Sequence, residues 1–383
     1  MPRLRDCLRN ARFRFLNNRL FGYVHRQRPI GHLPVPLASA DQAIVDLDML
    51  SLPAKSGRVE LVSHCYGYSP VPDYPGIESW ALVSSASFGQ APAYARTQFD
   101  AIRLARRKPF VQWRAPVAVF PHSTSHFGHF VGDMLGSIVW FSRRPEICFS
   151  ERQILATVPS PAWAAALAKL CPEGSLQLST PEKLLASNLD LSDALVLPRL
   201  STWQSLTLAR DAVISALGDG VFADDMAFVR KRYPGEKIFL CSGRVQRIIN
   251  LDMVCELFVS YGYNVVNPIS IPVPELLARV SCASRLWCEQ GSMVLNPLIS
   301  RDRPYRLFAL ELAQARKCPA SQAFLGGGLY NAFQRMLQRP FWCSAVDPER
   351  AMAQHLHPYQ WQLQPDLFLL EAALKAEAEE GAC

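Results

Sequence analysis

Two arginines, Arg244 and Arg247, lie in the run Ser242-Gly-Arg-Val-Gln-Arg-Ile-Ile-Asn250, directly after an apolar strand-like stretch and before a helical one. Guanidinium groups placed there suit a diphosphate, because each is delocalised, offers two hydrogen bonds to one anion, and is backed by backbone donors at the helix start. The same pair would also serve as surface arginines facing Asp252 or Glu256, with Asn250 or Ser242 acting as a helix cap. A second turn, Gly291-Ser292, sits inside Leu286-Trp-Cys-Glu-Gln-Gly-Ser-Met-Val-Leu-Asn-Pro297 and lets the backbone come close to a phosphate or a ribose. Glu289, just before it, either accepts from ribose hydroxyls or caps and pairs locally. Both turns fall at strand ends on one sheet edge, and that shared position favours binding over packing.

A third group lies in Ser125-His-Phe-Gly-His-Phe-Val-Gly-Asp-Met-Leu135. His129 and Asp133 are four apart, so on a helix they share a face and a hydrogen bond. His122, His126 and His129 with Asp133 also have a spacing that a metal ion would accept, but no second acidic cluster accompanies them. Asp46-Leu-Asp48 has the D-x-D form of metal-dependent transferases, yet it lies far from the arginine turn and reads as a surface pair. The expectation is a site with no metal and no cofactor. No G-x-G-x-x-G follows any strand, which disfavours a nicotinamide enzyme.

These groups need a scaffold, and 383 residues suit two or three domains. An apolar fraction of 49% and a charged fraction of 19% are those of a folded globular chain. Strand patterns at Val59 to Val62, Trp80 to Ser84, Val117 to Phe120 and Ala194 to Leu197 alternate with a helical one at Ala162 to Leu170, which indicates an α/β class. Asp211 to Arg232 reads as one helix ending at Tyr233-Pro234-Gly235, a break suited to a domain boundary. Beyond it come a strand at Lys237 to Cys241, a helix at Leu251 to Tyr261, a strand at Asn264 to Val266, a helix at Val273 to Cys282 and a strand at Leu286 to Cys288. That order is half of a doubly wound sheet. The expected division is residues 1–30 as a basic arm, 31–233 as an acceptor-side α/β domain, 234–318 as a nucleotide-binding Rossmann-like domain and 319–383 as a helical extension. Within the last, Ser321 to Leu337 and Asp366 to Glu380 read as helices, and Gly326-Gly-Gly328 reads as a flexible turn.

The net charge of +7 is concentrated: residues 1–28 hold eight arginines against Asp6, and the rest of the chain holds 32 basic and 32 acidic residues. Apolar residues interleave with those arginines, so residues 3–28 are a candidate amphipathic helix for an anionic membrane surface; a solvated helix is the bland alternative. No recognisable nucleic-acid module follows, and no nucleic-acid partner is expected. No apolar run is long enough to span a bilayer and no secretory signal pattern opens the chain. Eleven cysteines without a C-x-x-C pair fit a reducing compartment, and most of them, Cys255 included, read as small buried hydrophobes. A cytoplasmic location, peripheral on the inner face of the plasma membrane, is the resulting expectation.

With both halves read together, the chain resembles glycosyltransferase family 61, a group that includes bacterial capsular-polysaccharide enzymes and eukaryotic xylosyl- and N-acetylglucosaminyltransferases. The second half carries Arg-Ile-Ile-Asn at 247 to 250, Gly-Tyr-Asn-Val-Val at 262 to 266, a helix bearing Glu275, and a Gly-(Ala/Ser)-x-x-x-Asn turn at Gly291, Ser292 and Asn296. The first half resembles the signature Asn-x-x-His-(Trp/Phe)-x-x-(Asp/Glu)-x-Leu around His129 and Asp133, so residues 115 to 300 are covered. The resemblance implies a GT-B-like fold, two Rossmann-like domains facing across a cleft with C-terminal helices, and inversion at the anomeric carbon without an obligatory metal. It implies a donor site of Arg244, Arg247, Asn250, Glu289, Gly291, Ser292 and Asn296, with His126 on the acceptor side. Asp133 is the first candidate for the base with His129 orienting it, and the exchanged roles stand beside that. The substrates implied are a nucleotide sugar and a glycan or glycolipid acceptor; a non-catalytic polysaccharide-assembly partner with a degenerate transferase fold is the alternative.

Overall fold

The computed structural model of the protein describes residues 57–66, 77–82, 109–120, 122–144, 147, 152–179, 188–197, 200, 202–242, 248–289, 291–301, 305–312, 336–347 and 362–380. The basic arm, Asp46-Leu-Asp48, Arg244, Arg247 and the Gly326 triplet lie outside them.

Mixed α/β architecture forms, with helices and two sheets rich in parallel strands. The first sheet contains β1 (Gly57–Tyr66), β2 (Ile77–Leu82), β3 (Phe110–Trp113), β4 (Val117–Val119), β5 (His122–Thr124), β6 (Gln153–Thr157), β7 (Leu176–Ser179) and β8 (Asn188–Val196). Their order is β5-β2-β1-β8-β4-β6-β7, with β3 beside β8. Strands β8, β4, β6 and β7 run parallel, and β1, β2 and β5 pair antiparallel at the other side. The connection from β4 to β6 carries β5 and a helical segment made of α1 (Phe127–His129), a π-helical stretch at Phe130–Leu135 and α2 (Gly136–Ser142). Helix α3 (Pro161–Leu170) begins where its sequence says it should: Ser160 Oγ accepts from Trp163 N at 3.3 Å and Pro161 occupies the first turn.

The helix expected over Asp211 to Arg232 is instead two, α4 (Thr202–Gly218) and α5 (Ala223–Arg232). Gly220 permits the break, since a Cβ there would lie 2.8 Å from Ala216 Cα and Ser215 O. Phe222 then turns fully into the core, its N–H donating to Ala216 O at 2.8 Å. Burial of that ring, worth about 1.5–3 kcal/mol, outweighs the helical pattern of the intervening residues.

The second sheet is β10-β9-β11-β12-β13-β14, where β9 is Lys237–Leu240, β10 Tyr263–Val266, β11 Arg285–Glu289, β12 Tyr305–Leu312, β13 Met336–Ala345 and β14 Leu363–Gln364. All neighbours are parallel except β13 and β14. Helices α6 (Leu251–Ser260), α7 (Val273–Cys282), α8 (Leu295–Ser300) and α9 (Leu367–Glu380) complete it. The expectation of a helical extension over 319–383 is corrected in part, because residues 336–345 extend the sheet as β13; of the helix expected over Ser321 to Leu337, residues 321–335 lie outside the described residues and Met336 and Leu337 belong to β13. Pro340 has no N–H to give and would break a helix, but most of β13 is paired only with β12, leaving the proline at an edge where the missing donor is tolerated. Asp366 to Glu380 does form a helix.

One apolar cluster runs through both halves, from Ala118, Phe130 and Leu135 through Leu206 and Val213 to Leu277, Leu286 and Leu307. Helix α4 stands at its centre, packed on α2, the π-helical stretch, α7 and α8. A second cluster covers the other face of the second sheet under α6 and α9, where Phe239 stacks on Phe258 at 4.0 Å and Trp287 on Phe308 at 4.7 Å. Glu377 of α9 closes it: its buried carboxylate accepts from Tyr263 Oη at 2.6 Å and Trp287 Nε1 at 2.7 Å, with Arg285 at 3.5 Å. Burial and this carboxylate together push the Tyr263 phenol well above its ordinary value. At the amino edge of the same sheet, Arg279 pairs with buried Glu236, stacks over Tyr233 at 4.3 Å, and leaves Glu236 Oε1 to accept also from Asn264 at 2.8 Å. Neither charge is left uncompensated, the condition for burying such a pair.

Two outcomes follow for stability. A Cβ at Gly136 would fall 1.9 Å from Ser205 O and 2.6 Å from Ala209 N, both α4 backbone atoms that cannot swing aside. Gly136→Ala should therefore destabilise by at least about 1–3 kcal/mol, read as a lowered Tm; an unchanged Tm would refute the contact. In the first sheet, Asp190 accepts two hydrogen bonds from Arg58, at 2.8 and 2.7 Å, and one from Gln112 at 2.7 Å. The Arg58 hydrogen bonds hold its carboxyl below the usual carboxylate range. A depressed carboxyl stabilises the fold above its unfolded pKa and loses that contribution as pH falls through its folded pKa. The Tm gap between wild type and Asp190→Asn should shrink as pH drops below the carboxylate range, and a gap constant with pH would contradict this.

Candidate functional site

In the second sheet the chain builds β9, places β10 on one side, and returns to place β11 on the other. The carboxyl ends of β9 and β11 thus flank the point where strand order reverses, the crevice where open α/β sheets bind ligands. Ser242 follows β9 and Gly291 follows β11, so these two residues stand at one edge of the sheet.

The backbone there is pinned from both sides. Ser242 N donates to Glu289 Oε2 at 3.1 Å, and Ser242 O accepts from Asn267 Nδ2, at the end of β10, at 3.2 Å. Cys241 Sγ also donates to Glu289 Oε2, at 3.6 Å. Glu289 is 2% exposed, and its carboxylate holds the Ser242 backbone, a role different from the helix capping or local pairing that its position in sequence suggested. Farther along the chain, Ile248 is fully buried and bridged to Leu363, with Ile249 N donating to Leu363 O at 3.1 Å. Ser242 and Ile248 are thus both fixed to the second sheet's surroundings, and residues 243–247 lie outside the described residues. Asn250 donates from Nδ2 to Pro365 O at 3.1 Å, and it fastens α6 to the segment between β14 and α9.

Gly291 has φ 106° and ψ −145°, a conformation that essentially only glycine adopts. It turns the chain into a 3-10 turn at Ser292–Val294 and then α8. Asn296 is fully buried, and its Nδ2 donates to Met293 O at 3.2 Å, closing that turn. Ser292 remains half-buried at the surface of the edge.

The histidine segment arrives at this same edge from the first half. Gly128 sits so close to Ser292 that a Cβ on it would lie 3.0 Å from Ser292 Cβ and 3.2 Å from His126 Cε1. The rings of His126 and His129 are 5.2 Å apart, and His129 Nδ1 is 3.2 Å from Asp133 Oδ2. Both side chains keep contact with solvent, at 31% for His129 and 18% for Asp133. Their shared face survives although residues 130–135 wind as a π-helix, a form often found at functional positions. Trp163 of α3 packs against Phe130 at 5.4 Å and Phe127 at 5.9 Å, and it wedges the helix from behind. On the approach from β4, Ser123 Oγ is 2.8 Å from Thr157 Oγ1 and accepts from Thr157 N at 2.9 Å, which fixes β5 to the end of β6.

The structure thus brings together His126, His129, Asp133, Gly291 and Ser292, with Glu289 buried just behind the edge. Asn250 and Asn296 are engaged in local hydrogen bonds. Gly128 and Asn267 were missed in the sequence. A glycine between two histidines, with no turn to serve, signals close approach of another chain segment, and an asparagine at a strand's carboxyl end signals a turn anchor. Among the described residues no three His, Cys, Asp or Glu side chains gather as a metal-binding group, and no helix is long and apolar enough to cross a membrane.

If the glycine requirement holds, Gly291→Ala forces strained backbone costing about 1–3 kcal/mol. The expected result is a lower Tm, and a variant as stable as wild type would show the turn to be laxer. No protein-family model matches this chain, and no curated protein shows significant similarity to it.

Proposed function

We propose that the protein is an inverting glycosyltransferase of GT-B-like organisation, moving a sugar from a nucleotide-sugar donor to a glycan or lipid-linked glycan acceptor in surface-polysaccharide assembly. The observation that carries this reading is the approach of Gly128 to Ser292, which sets a His–Asp pair beside the strand-order reversal of a parallel sheet. A base and a phosphate-accommodating edge are the two halves that an inverting sugar transfer needs.

In that reaction the acceptor oxygen attacks the anomeric carbon while the bond from that carbon to the diphosphate oxygen breaks. The nucleoside diphosphate leaves with the electron pair. An imidazole donating Nδ1–H to Asp133 presents its Nε2 lone pair outward, so we assign His129 as the base and Asp133 as the group that holds its tautomer and compensates the charge it gains. Arg244 and Arg247, which follow Ser242 within five positions, neutralise the leaving diphosphate. Gly291 and Ser292 offer close backbone approach to the donor. The arginine-rich residues 3–28 hold the enzyme at the anionic inner face of the membrane, near a lipid-linked acceptor.

A thermal-shift screen against UDP-, GDP-, CMP- and dTDP-sugars should show one nucleotide class raising Tm, since a ligand bound only by the native state stabilises it. Hydrolysis of that donor should then fall about 10²–10⁴-fold in His129→Gln and in Asp133→Asn, as for loss of a general base, and should also fall in Arg244→Ala. Hydrolysis that persists in both Asp133→Asn and Arg244→Ala would defeat the assignment. Binding without turnover by the wild type would identify a non-catalytic assembly partner.

A further inference from the structure

Helices α6 and α9 lie side by side over the second apolar cluster and run in the same sense. Asn250 Nδ2 joins their starts by donating to Pro365 O at 3.1 Å, and farther along Tyr261 Oη donates to Glu371 Oε1 at 3.5 Å. Met253 is three residues after Asn250 and eight before Tyr261, and Phe368 is three from both Pro365 and Glu371. Each therefore falls on the stripe of its helix that borders the other. Both are exposed, Met253 at 55% and Phe368 at 79%, and half-buried Leu257 continues the apolar floor between the helices. Asp252, Glu256, Asp366 and Glu371 stand exposed around this groove. Among the described residues none of these carboxylates is in an ion pair, and the two helices contain one cation, Lys375.

An apolar groove rimmed by uncompensated carboxylates repels anionic headgroups and suits a segment that is both basic and apolar. The chain carries such a segment. Residues 1–28 hold eight arginines against Asp6, with Leu8, Phe13, Leu16, Leu20 and Phe21 interleaved, while the rest of the chain balances at 32 basic and 32 acidic residues. We infer that the groove between α6 and α9 is the docking site of this chain's own residues 3–28, whose arginines pair with the rim carboxylates and whose apolar side chains cover Met253 and Phe368.

Reach does not limit this docking. Residues 29–56 connect the segment to β1, and a connector of that length spans at most about 90–100 Å. Tethering holds the segment at an effective concentration on the order of millimolar, so exposed ion pairs that are weak singly suffice when several form together. The groove and an anionic bilayer draw on the same arginines, so the segment occupies one or the other. The bilayer side of that exchange rests on the proposed function, whereas docking in the groove does not.

Full-length protein carrying Phe368→p-benzoylphenylalanine, and separately Met253→p-benzoylphenylalanine, is irradiated and the cross-linked peptides are mapped. Mixing light and heavy isotope-labelled chains separates contacts within one chain from contacts between two. Both positions are exposed, so each protein should keep the wild-type Tm. Cross-links from both positions to residues 3–28 of the same chain are the expected result. Their yield should fall about tenfold near about 1 M NaCl, where the Debye length is about 3 Å, and should fall likewise when Glu256→Gln and Glu371→Gln are combined. Cross-links that avoid residues 3–28, or that are unmoved by salt or by the combined variant, overturn the inference. Mixed-isotope cross-links place a second copy in the groove and overturn it as well. Vesicles containing phosphatidylglycerol should abolish the cross-link and vesicles of phosphatidylcholine should leave it; a cross-link that persists in protein bound to the anionic vesicles refutes the exchange. Anionic vesicles that do not bind the protein at all count against the membrane placement and the exchange together, and leave the groove judged by the cross-link map, the salt series and the combined variant.

Discussion

The backbone of α4 lies against Gly136 with no room for a Cβ, and the geometry of the candidate site depends on that contact. Side chains at a helix crossing normally set helices about 8–10 Å apart; a glycine removes the spacer and lets the π-helical stretch and α2 seat directly on α4. Since α4 also packs on α8 and α7, and α5 and α3 touch α7 as well, the first half of the chain is positioned against the second through several helices with α4 at their centre. The apolar cluster continuing across it makes this a packed joint and not a tether between two separate cores. Gly128 therefore approaches Ser292 by virtue of packing that lies well behind both.

Charge is handled differently at the two edges of the second sheet. The amino edge buries a matched pair, Glu236 and Arg279, and satisfies the carboxylate further with Asn264. At the carboxyl edge Glu289 is buried against a backbone N–H and a thiol. The first arrangement is closed, and it contributes rigidity at the connector between the halves. The second holds an acidic group by uncharged donors alone among the contacts described, with Ser242 and Ser292 at the strand ends where the order reverses. The buried Glu289 carboxylate holds the backbone at Ser242 in place.

Much of the second sheet was legible because its strands are short and apolar and alternate with amphipathic helices. Val273–Cys282 matches the expected element residue for residue, and the i, i+4 spacing of His129 and Asp133 did foretell their hydrogen bond. Local patterns failed where tertiary burial decided the outcome. Phe222 turns inward and breaks a helix that periodicity would have continued, and β13 takes its backbone partners from β12, a strand that is not its neighbour in any local pattern. Glu289 was legible as important but not as a backbone anchor, because its partner Ser242 is 47 residues away. The Gly128–Ser292 approach was beyond reach for the same reason. A single sequence carries the composition of each surface but not which two surfaces will touch.

The carboxylate of Glu377 has a consequence for how the chain is made. Trp287 and Tyr263 are synthesised 90 and 114 residues before it, and their polar hydrogens find this acceptor only when α9 has emerged from the ribosome. Until then the aromatic layer of Phe239, Phe258 and Trp287 lacks its lid, and the nascent second half offers a large apolar face to whatever it meets. Docking of α9 thus satisfies both polar hydrogens at once and covers the aromatic layer.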